Sequence, residues 1–436
     1  MLSAAERRAK VKAIVRVASC NFLEAYDFIV YGYYAGYIAD TYFPQTSEFA
    51  RLMSALVTYG AGFLMRPLGA ILLGAYMDRH GRKKGLILTL GLMAIGTLTI
   101  AATPSYAQIG LLAPVIIVAG RLLQGLSAGA EFGGVAIYLS EISTPGRHGF
   151  YCSWQAVSQQ VAVVCASLFG VALAAVASPA EMTAWGWRVP LLAGVAAVPV
   201  LFWLRRSLPE TEAFIRSRHV KSLNEVMRSL AANWRVIAIG MALTVMTTTS
   251  FYLITAYTPT FGRQALQMPP EDALLVTLFV GISNVLWLPV GGILTDRVGA
   301  RPLMLFVTAA ALLTAYPAML WLVAAPSFMK LLAVLLLFSV YFGLYNGALI
   351  PLLAEIMPKD VRTTAFSLAF VTATAIFGGF TPAVCTYLVE WTGNRAAPGL
   401  WLSLAAIISF AAAFVVFRVA QPSGDLPRGS LAEQHP

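Results

Sequence analysis

The chain has 436 residues, of which 58% are hydrophobic and only 11% charged, and its mean hydropathy is +0.74. A soluble domain carries about 25% charged residues, so this composition excludes an ordinary soluble enzyme or binding module and fits a chain whose solvent is lipid. The formal charge of +10 would suggest nucleic acid in a soluble protein; here it follows from Lys and Arg gathered in loops on one side of a membrane, and no nucleic-acid partner is expected.

The first residues are basic (Arg7, Arg8, Lys10, Lys12, Arg16) and lead into an apolar run over 14–40. That run carries Glu24 and Asp27 and ends without a small-residue cleavage site, so it reads as a retained span rather than a signal peptide. A helix needs about 20 apolar residues to cross a bilayer. Spans follow over 51–77, 85–103, 109–140, 150–177 and 187–204. A polar segment, 205–235, then sets seven Lys or Arg against Glu210, Glu212 and Glu225 and reads as a cytoplasmic linker. Six more spans are expected over 236–260, 272–295, 302–324, 328–356, 361–389 and 398–419, before a polar tail, 421–436, expected to be disordered. The expected domains are therefore a six-helix bundle over 1–204, the linker, and a second bundle over 236–420.

The charges test this layout. Of the 30 Lys and Arg, the loops opposite the termini hold Arg51, Arg188, Arg263, Lys330 and Arg395, and Arg66 and Arg121 lie inside spans; the rest fall on the side of the termini. The bias places both termini in the cytoplasm. Cys20, Cys152, Cys165 and Cys385 lie in or beside apolar runs at no metal-like spacing, so neither a metal nor another cofactor is expected.

An internal repeat supports the division. GAYMDRHGRKK after the second span matches GGILTDRVGARP after the eighth: Gly74, Asp78, Arg79, Gly81 and Lys83 answer Gly292, Asp296, Arg297, Gly299 and Arg301. LSEISTPGR at the end of the fourth span matches LAEIMPKDVR at the end of the tenth, so that Glu141, Ile142 and Arg147 answer Glu355, Ile356 and Arg362. Parallel six-helix repeats are a transporter architecture with the substrate site between the halves near mid-membrane.

The Gly74–Lys83 pattern, with Arg82 completing it, resembles the signature loop of the major facilitator superfamily. Glu24-Ala-Tyr26-Asp27-Phe28, Arg66-Pro67-x-Gly69 and Arg121-x-x-Gln124-Gly125-x-Ser127-x-Gly129-x-Glu131 resemble motifs of its metabolite:proton symporter family; Ala130 stands where that family often has a second glycine. Stretches such as NFLEAYDF, YCSWQAVSQQVA, MTTTSFYLITAYTPT and GLYNGALIP are similar to the citrate and tricarballylate symporter branch, and the likeness runs over about residues 14–420. The resemblance implies an all-α membrane protein of twelve transmembrane helices in two pseudo-symmetric bundles, the major facilitator fold. It implies a monomer in a bacterial inner membrane that imports a tricarboxylate with protons by alternating access. A dicarboxylate, an aromatic acid or a zwitterionic osmolyte is the alternative cargo. A membrane sensor is a further reading, against which no signalling domain is attached. No nucleophile–base pair or cofactor loop points to an enzyme.

An ionisable group inside a membrane costs about 2.5–3.5 kcal/mol even on insertion scales, so each needs a reason. Glu24, Asp27, Arg66, Arg121 and Glu131 lie near mid-span, all in the first half. Glu24 and Asp27, three apart, share a face of the first helix with Tyr31 and Tyr34. Arg121, Gln124, Ser127, Glu131 and Tyr138 make one stripe on the fourth helix. Arg121 and Glu131 are ten residues apart, about 15 Å along the axis, and cannot pair. Asp27 and Glu131, with Glu24 beside them, are expected to carry protons; a static ion pair holding the helices together is the alternative. Arg66 and Arg121 supply the forked cations a tricarboxylate needs, or else neutralise the buried acids. Neutral donors in reach of substrate are expected from Gln155, Ser158 and Gln159, from Thr248 and Tyr252, from Asn284, and from Tyr345 and Asn346, set against the habit of Thr and Ser to bond their own helix and of Asn and Gln to join helices. The loop motif Asp78, Arg79, Gly81, Arg82 and Lys83, its repeat Asp296 and Arg297, and the pairs Glu141–Arg147 and Glu355–Arg362 are expected to latch the cytoplasmic side. His80, His148 and His219 are expected at the surface.

Overall fold

The computed structural model describes residue 14 and residues 22–44, 47–80, 82–129, 132–206, 223–358 and 361–419. Most of the expected linker and the whole tail lie outside these. The described residues are helical, without a strand. A helical segment stands at each of the twelve expected positions, and they are numbered α1–α12. They are α1 (22–33 and Ala35–Tyr42), α2 (Glu48–Leu64 and Arg66–His80), α3 (Arg82–Ala102) and α4 (Leu112–Ala128 and Phe132–Glu141). Next come α5 (His148–Val176), α6 (Val189–Arg206), α7 (Trp234–Ile254), α8 (Pro270–Val298), α9 (Ala300–Ala324) and α10 (Phe328–Ile356). Then α11 comprises Arg362–Ala373, a π-helical turn Thr374–Gly378, and Thr381–Thr392; α12 is Ala397–Val419. Among the described residues, eight helices are long and apolar enough to cross a membrane by length and composition, and Ile87–Ala102, Leu112–Ala128 and Gly186–Val200 are shorter apolar helices.

Local chemistry sets the joints. Ser47 and Ser327 cap the starts of α2 and α10 by accepting from the amides of Ala50 and Lys330. Gly299, at φ +87°, turns the chain from α8 into α9, a conformation that favours glycine. Pro67 has no amide hydrogen to return to the carbonyl of Phe63, and α2 accordingly turns at Met65, one residue before Arg66.

The packing repeats across the halves: α3 lies on α4 and α6 as α9 lies on α10 and α12, and α2 lies on α4 as α8 lies on α10. The halves meet along α5 and α8. A Cβ built on Gly149 would lie 2.4 Å from the Gly292 carbonyl oxygen, and farther along, Gly281 packs on Val164 and Gly170 on Leu274. Gly32 of α1 touches Ala256 after α7, and Gly60 and Phe63 of α2 pack on Phe380 and Gly379 of α11. A cavity of about 460 Å³ lies between the halves on the side away from the termini, walled by α1, α5, α8 and the short helix Thr258–Gln264.

Candidate substrate and proton site

Two helices bring the deep cations together. A Cβ on Gly125 would lie 1.6 Å from the carbonyl oxygen of Gly62, one on Gly129 would lie 1.9 Å from that of Arg66, and one on Gly69 would lie 1.9 Å from that of Leu126. α2 and α4 therefore cross backbone to backbone, as small residues allow in membranes. The glycines spaced around Arg66 and Arg121 in the sequence are this crossing.

Around it, α1 distributes its motif over different neighbours. Glu24 accepts from Arg66, with Nη2 to Oε1 at 3.2 Å and both side chains buried. Phe28 lies between the two guanidinium groups, 4.3 Å from the Cζ of each. Asp27 faces α3 instead: its Oδ2 accepts from the hydroxyl of Thr97, and its Oδ1 packs against Gly194 of α6. Glu24 and Asp27 thus do not act on one partner.

Arg121 is fully buried. Its Nη1 donates to Gln124 Oε1 at 2.7 Å and its Nη2 to the carbonyl of Tyr59 at 3.3 Å. Its charge rests on the rings of Phe28, Tyr31 and Tyr59, with centroids at 4.3, 4.5 and 5.0 Å. Among the described residues no carboxylate lies within ion-pair distance of it, and its Nε has no hydrogen-bond partner. Cation–π contacts contribute about 0.5–2 kcal/mol each, against a desolvation cost of several kcal/mol for a buried ion. Arg121 is thus a buried cation matched by rings, an amide oxygen and a carbonyl, whereas Arg66 is matched by Glu24.

Gln124 completes a chain. Its Nε2 donates to Thr97 Oγ1 at 2.8 Å, so Asp27, Thr97, Gln124 and Arg121 form one continuous hydrogen-bonded run through α1, α3 and α4. Thr97 has one hydrogen and two lone pairs. With Asp27 ionised, Thr97 donates to it; with Asp27 protonated, the carboxyl donates to Oγ1 and the Thr97 hydrogen turns to the Met93 carbonyl, 3.0 Å away. Gln124 keeps its bond in both states.

From the other half, Tyr252 packs on Phe63 and Tyr59 at centroid distances of 5.2 and 6.3 Å, with Arg66, Glu24 and Arg121 as electrostatic neighbours. Thr248 stands beside it against Gly378 of the π-helical turn, its hydroxyl without a partner among the described residues. Tyr31 donates to the Ala55 carbonyl and stacks on Tyr59.

Several of the remaining neutral candidates also join helices. Asn284 donates to Gln160 Oε1 at 2.9 Å and accepts from Ser339 at 2.7 Å, tying α8 to α5 and α10. Gln160, not Gln159, makes that contact; Gln159 is half-buried. Tyr345 donates to the Leu243 carbonyl, Asn346 to Thr247, and Ser158 to the carbonyl of Gln155, whose Nε2 has no partner among the described residues. Glu131 and Gly81 lie outside the described residues, as do the side chains of Asp78, Arg79, Arg82 and Lys83. Tyr59, Phe63 and Thr97 were not singled out by sequence, and Phe28 entered only as the last residue of the Glu24–Phe28 motif. Tyr59, Phe63 and Arg66 follow the i, i+4, i+7 spacing of one helical face and were legible in principle; a lone threonine in the apolar α3 carried no such signal.

The sequence profile of the Major Facilitator Superfamily matches residues 17–382. The chain belongs to this superfamily. It is 55% identical over 410 residues, 94% of this chain and 92% of the relative, to a citrate-proton symporter of Klebsiella pneumoniae. It is 53% identical over 414 residues, 95% of each, to one of Salmonella typhi. An alpha-ketoglutarate permease of Escherichia coli is 33% identical over 426 residues, 96% of each. Among solved structures, a D-xylose-proton symporter superposes with a TM-score of 0.74, covering 91% of this chain and 96% of the other, at 18% identity, which bears on the fold alone.

In this major facilitator chain the second signature loop has a visible partner. Asp296 accepts from the amides of Gly149 at 2.7 Å and Phe150 at 3.0 Å, capping the start of α5 across the boundary between halves. Arg297, Glu141, Arg147 and Glu355 are exposed and Arg362 half-buried. Neither the Glu141–Arg147 nor the Glu355–Arg362 pair closes to ion-pair distance among the described residues. His148 is not a free surface residue: its Nε2 lies 2.7 Å from the Ser140 hydroxyl, half-buried, with Glu355, Asp296 and Arg362 as electrostatic neighbours.

Proposed function

We propose that the protein imports a tricarboxylate, citrate or tricarballylate, together with protons across a bacterial inner membrane, with both termini in the cytoplasm and the monomer as the working unit. The observation that carries the reading is Arg121, a buried cation held on three aromatic faces with no carboxylate partner among the described residues. The identity to citrate-proton symporters over nearly the whole chain supports the choice of anion.

Energetics require coupling. One charge moved against 100 mV costs about 2.3 kcal/mol, so an unaccompanied trianion would face about 7 kcal/mol. Co-transported protons cancel that cost. Asp27 is the proton carrier in this reading, because Thr97 can bond its Oδ2 in either state, its buried Oδ1 has no hydrogen-bond partner among the described residues, and the same hydrogen-bonded run ends on Arg121. Tyr252 and Thr248 present the second half's neutral donors to the bound anion, and the halves rock about it. Glu131 is kept as a second proton site on the strength of its place in the α4 stripe.

Uptake of radiolabelled citrate into proteoliposomes under an imposed proton gradient, with and without a Na⁺ gradient and with tricarballylate as competitor, tests this. Proton-driven accumulation blocked by tricarballylate is expected. No accumulation of citrate under either gradient would refute citrate import, and direct uptake of labelled tricarballylate would then decide the rest of the reading.

A further inference from the structure

The cavity between the halves on the side away from the termini holds a feature that the central site does not use. Of the five cations expected on that side, Arg51 pairs with Asp40 at 3.6 Å. Arg188 is packed on Trp187 and donates to the Thr103 carbonyl, and Lys330 sits on Trp321 and donates to its carbonyl. Arg395 is exposed near the start of α12 and is not among the residues lining the cavity. Arg263 alone of the five lines the cavity. Its guanidinium carbon lies 5.2 Å from the centroid of Tyr37, and its Nη1 reaches Gly36, so a side chain from the second half rests on α1 of the first.

A second observation is independent of that charge. Tyr34, one helical turn below Tyr37, lines the same cavity; its hydroxyl is buried and has no hydrogen-bond partner among the described residues. One further turn down is Tyr31, on whose ring Arg121 rests. Tyr37, Tyr34 and Tyr31 descend α1 in steps of three, about 4.5 Å each, from Arg263 to Arg121.

We infer that this cavity is an outer docking site for a carboxylate anion, held by the Arg263 fork and the Tyr34 hydroxyl before it passes to Arg121. At about 460 Å³ the cavity falls within the size range of small-molecule pockets. The cavity's acid is Glu271, in the first turn of α8, where the helix dipole offsets its charge. A neighbouring cavity that shares Arg263 carries Glu48 and Glu390, which would repel the anion toward the tyrosine side. No ion pair joins Arg263 to any of these acids among the described residues. The inference rests on the tricarboxylate reading and adds a subsite on one face of the membrane.

Kinetics measured from each face test it. In right-side-out vesicles Arg263→Gln is expected to raise the KM for external citrate roughly tenfold, the loss of one charge-assisted hydrogen bond, with Vmax kept. Raising ionic strength should narrow the gap from wild type, because the attraction is screened. Tyr34→Phe should raise the same KM by a smaller factor, and Arg263→Lys should keep the salt dependence while losing part of the affinity. In inside-out vesicles the KM of all three should match wild type. An unchanged external KM in Arg263→Gln overturns the subsite, as does an equal change from both faces or a fall in Vmax alone, which would mark Arg263 as a latch. A wild-type protein that takes up no tricarboxylate overturns the subsite and the functional reading together; wild-type uptake with an unaffected Arg263→Gln overturns the subsite alone.

Discussion

A buried ion must be matched, and the site is organised by which ions are. Arg66 has Glu24 at 3.2 Å; Arg121 has rings, an amide oxygen and a carbonyl. Replacing Arg121 by Lys keeps the charge but loses the fork and the stacked plane. The expected result is a rise of about 10- to 100-fold in the KM for citrate, the equivalent of about 1.5–3 kcal/mol for hydrogen bonds to a charged group; Arg66→Lys should weaken uptake less, because Glu24 already takes part of its bonding. Thr97 separates coupling from transport. Thr97→Val removes the group that serves both states of Asp27, so proton-driven accumulation should fall while citrate counterflow, which needs no net proton movement, persists. Thr97→Ser should restore accumulation. Loss of counterflow and accumulation in equal measure would show Thr97 to be only a packing residue.

At the scale of the helix, glycine sets distance. The α2–α4 crossing brings backbones into contact at Gly62 and Gly125, and a methyl group there has no space. Gly125→Ala should cost about 1–3 kcal/mol by overpacking, read as a lower melting temperature and less folded protein in detergent. Gly91, in α3, meets nothing within 4 Å, so Gly91→Ala should hold or slightly raise stability, since alanine is the better helix former by about 1 kcal/mol. The motif glycines were legible in the sequence as a pattern of fours around Arg121. Which helix they touch was not, because small-residue spacing specifies close approach without naming the partner. The same limit held for Asn284: a polar residue at a helix-joining position is visible, but its pairing with Gln160 of α5, rather than with the Gln159 singled out in the sequence, is not. The π-helical turn of α11 is another such case, and it sets Gly378 and Gly379 against Tyr252 and Phe63.

Across the whole molecule, Asp296 of the second half accepts from the first amides of α5 in the first half, on the side of the termini, and a latch role for this contact is open to test. Cys152, one turn into α5, is buried behind this contact. Asp296→Ala removes two charge-assisted bonds, about 1.5–3 kcal/mol each at most, and should shift the population toward the inward-open state. In a background with the other cysteines replaced by serine, Cys152 should then label with a maleimide at least several times faster than in the parent, and unchanged labelling would remove Asp296 from the latch.

The sequence by itself determined the helical class, the long apolar helices and the superfamily, because these follow from composition, apolar length and recurring motifs, which are local properties of the chain. It also determined that the deep charges of the first half required partners. The tertiary structure decided who those partners are. Glu24 and Asp27 are three residues apart and therefore about 60° apart around the axis of α1. That angle is small enough to read as one face in a sequence, yet it sends Glu24 to Arg66 on α2 and Asp27 to Thr97 on α3. Periodicity fixes the direction of a side chain about its own helix; only the packing of neighbouring helices fixes what stands there.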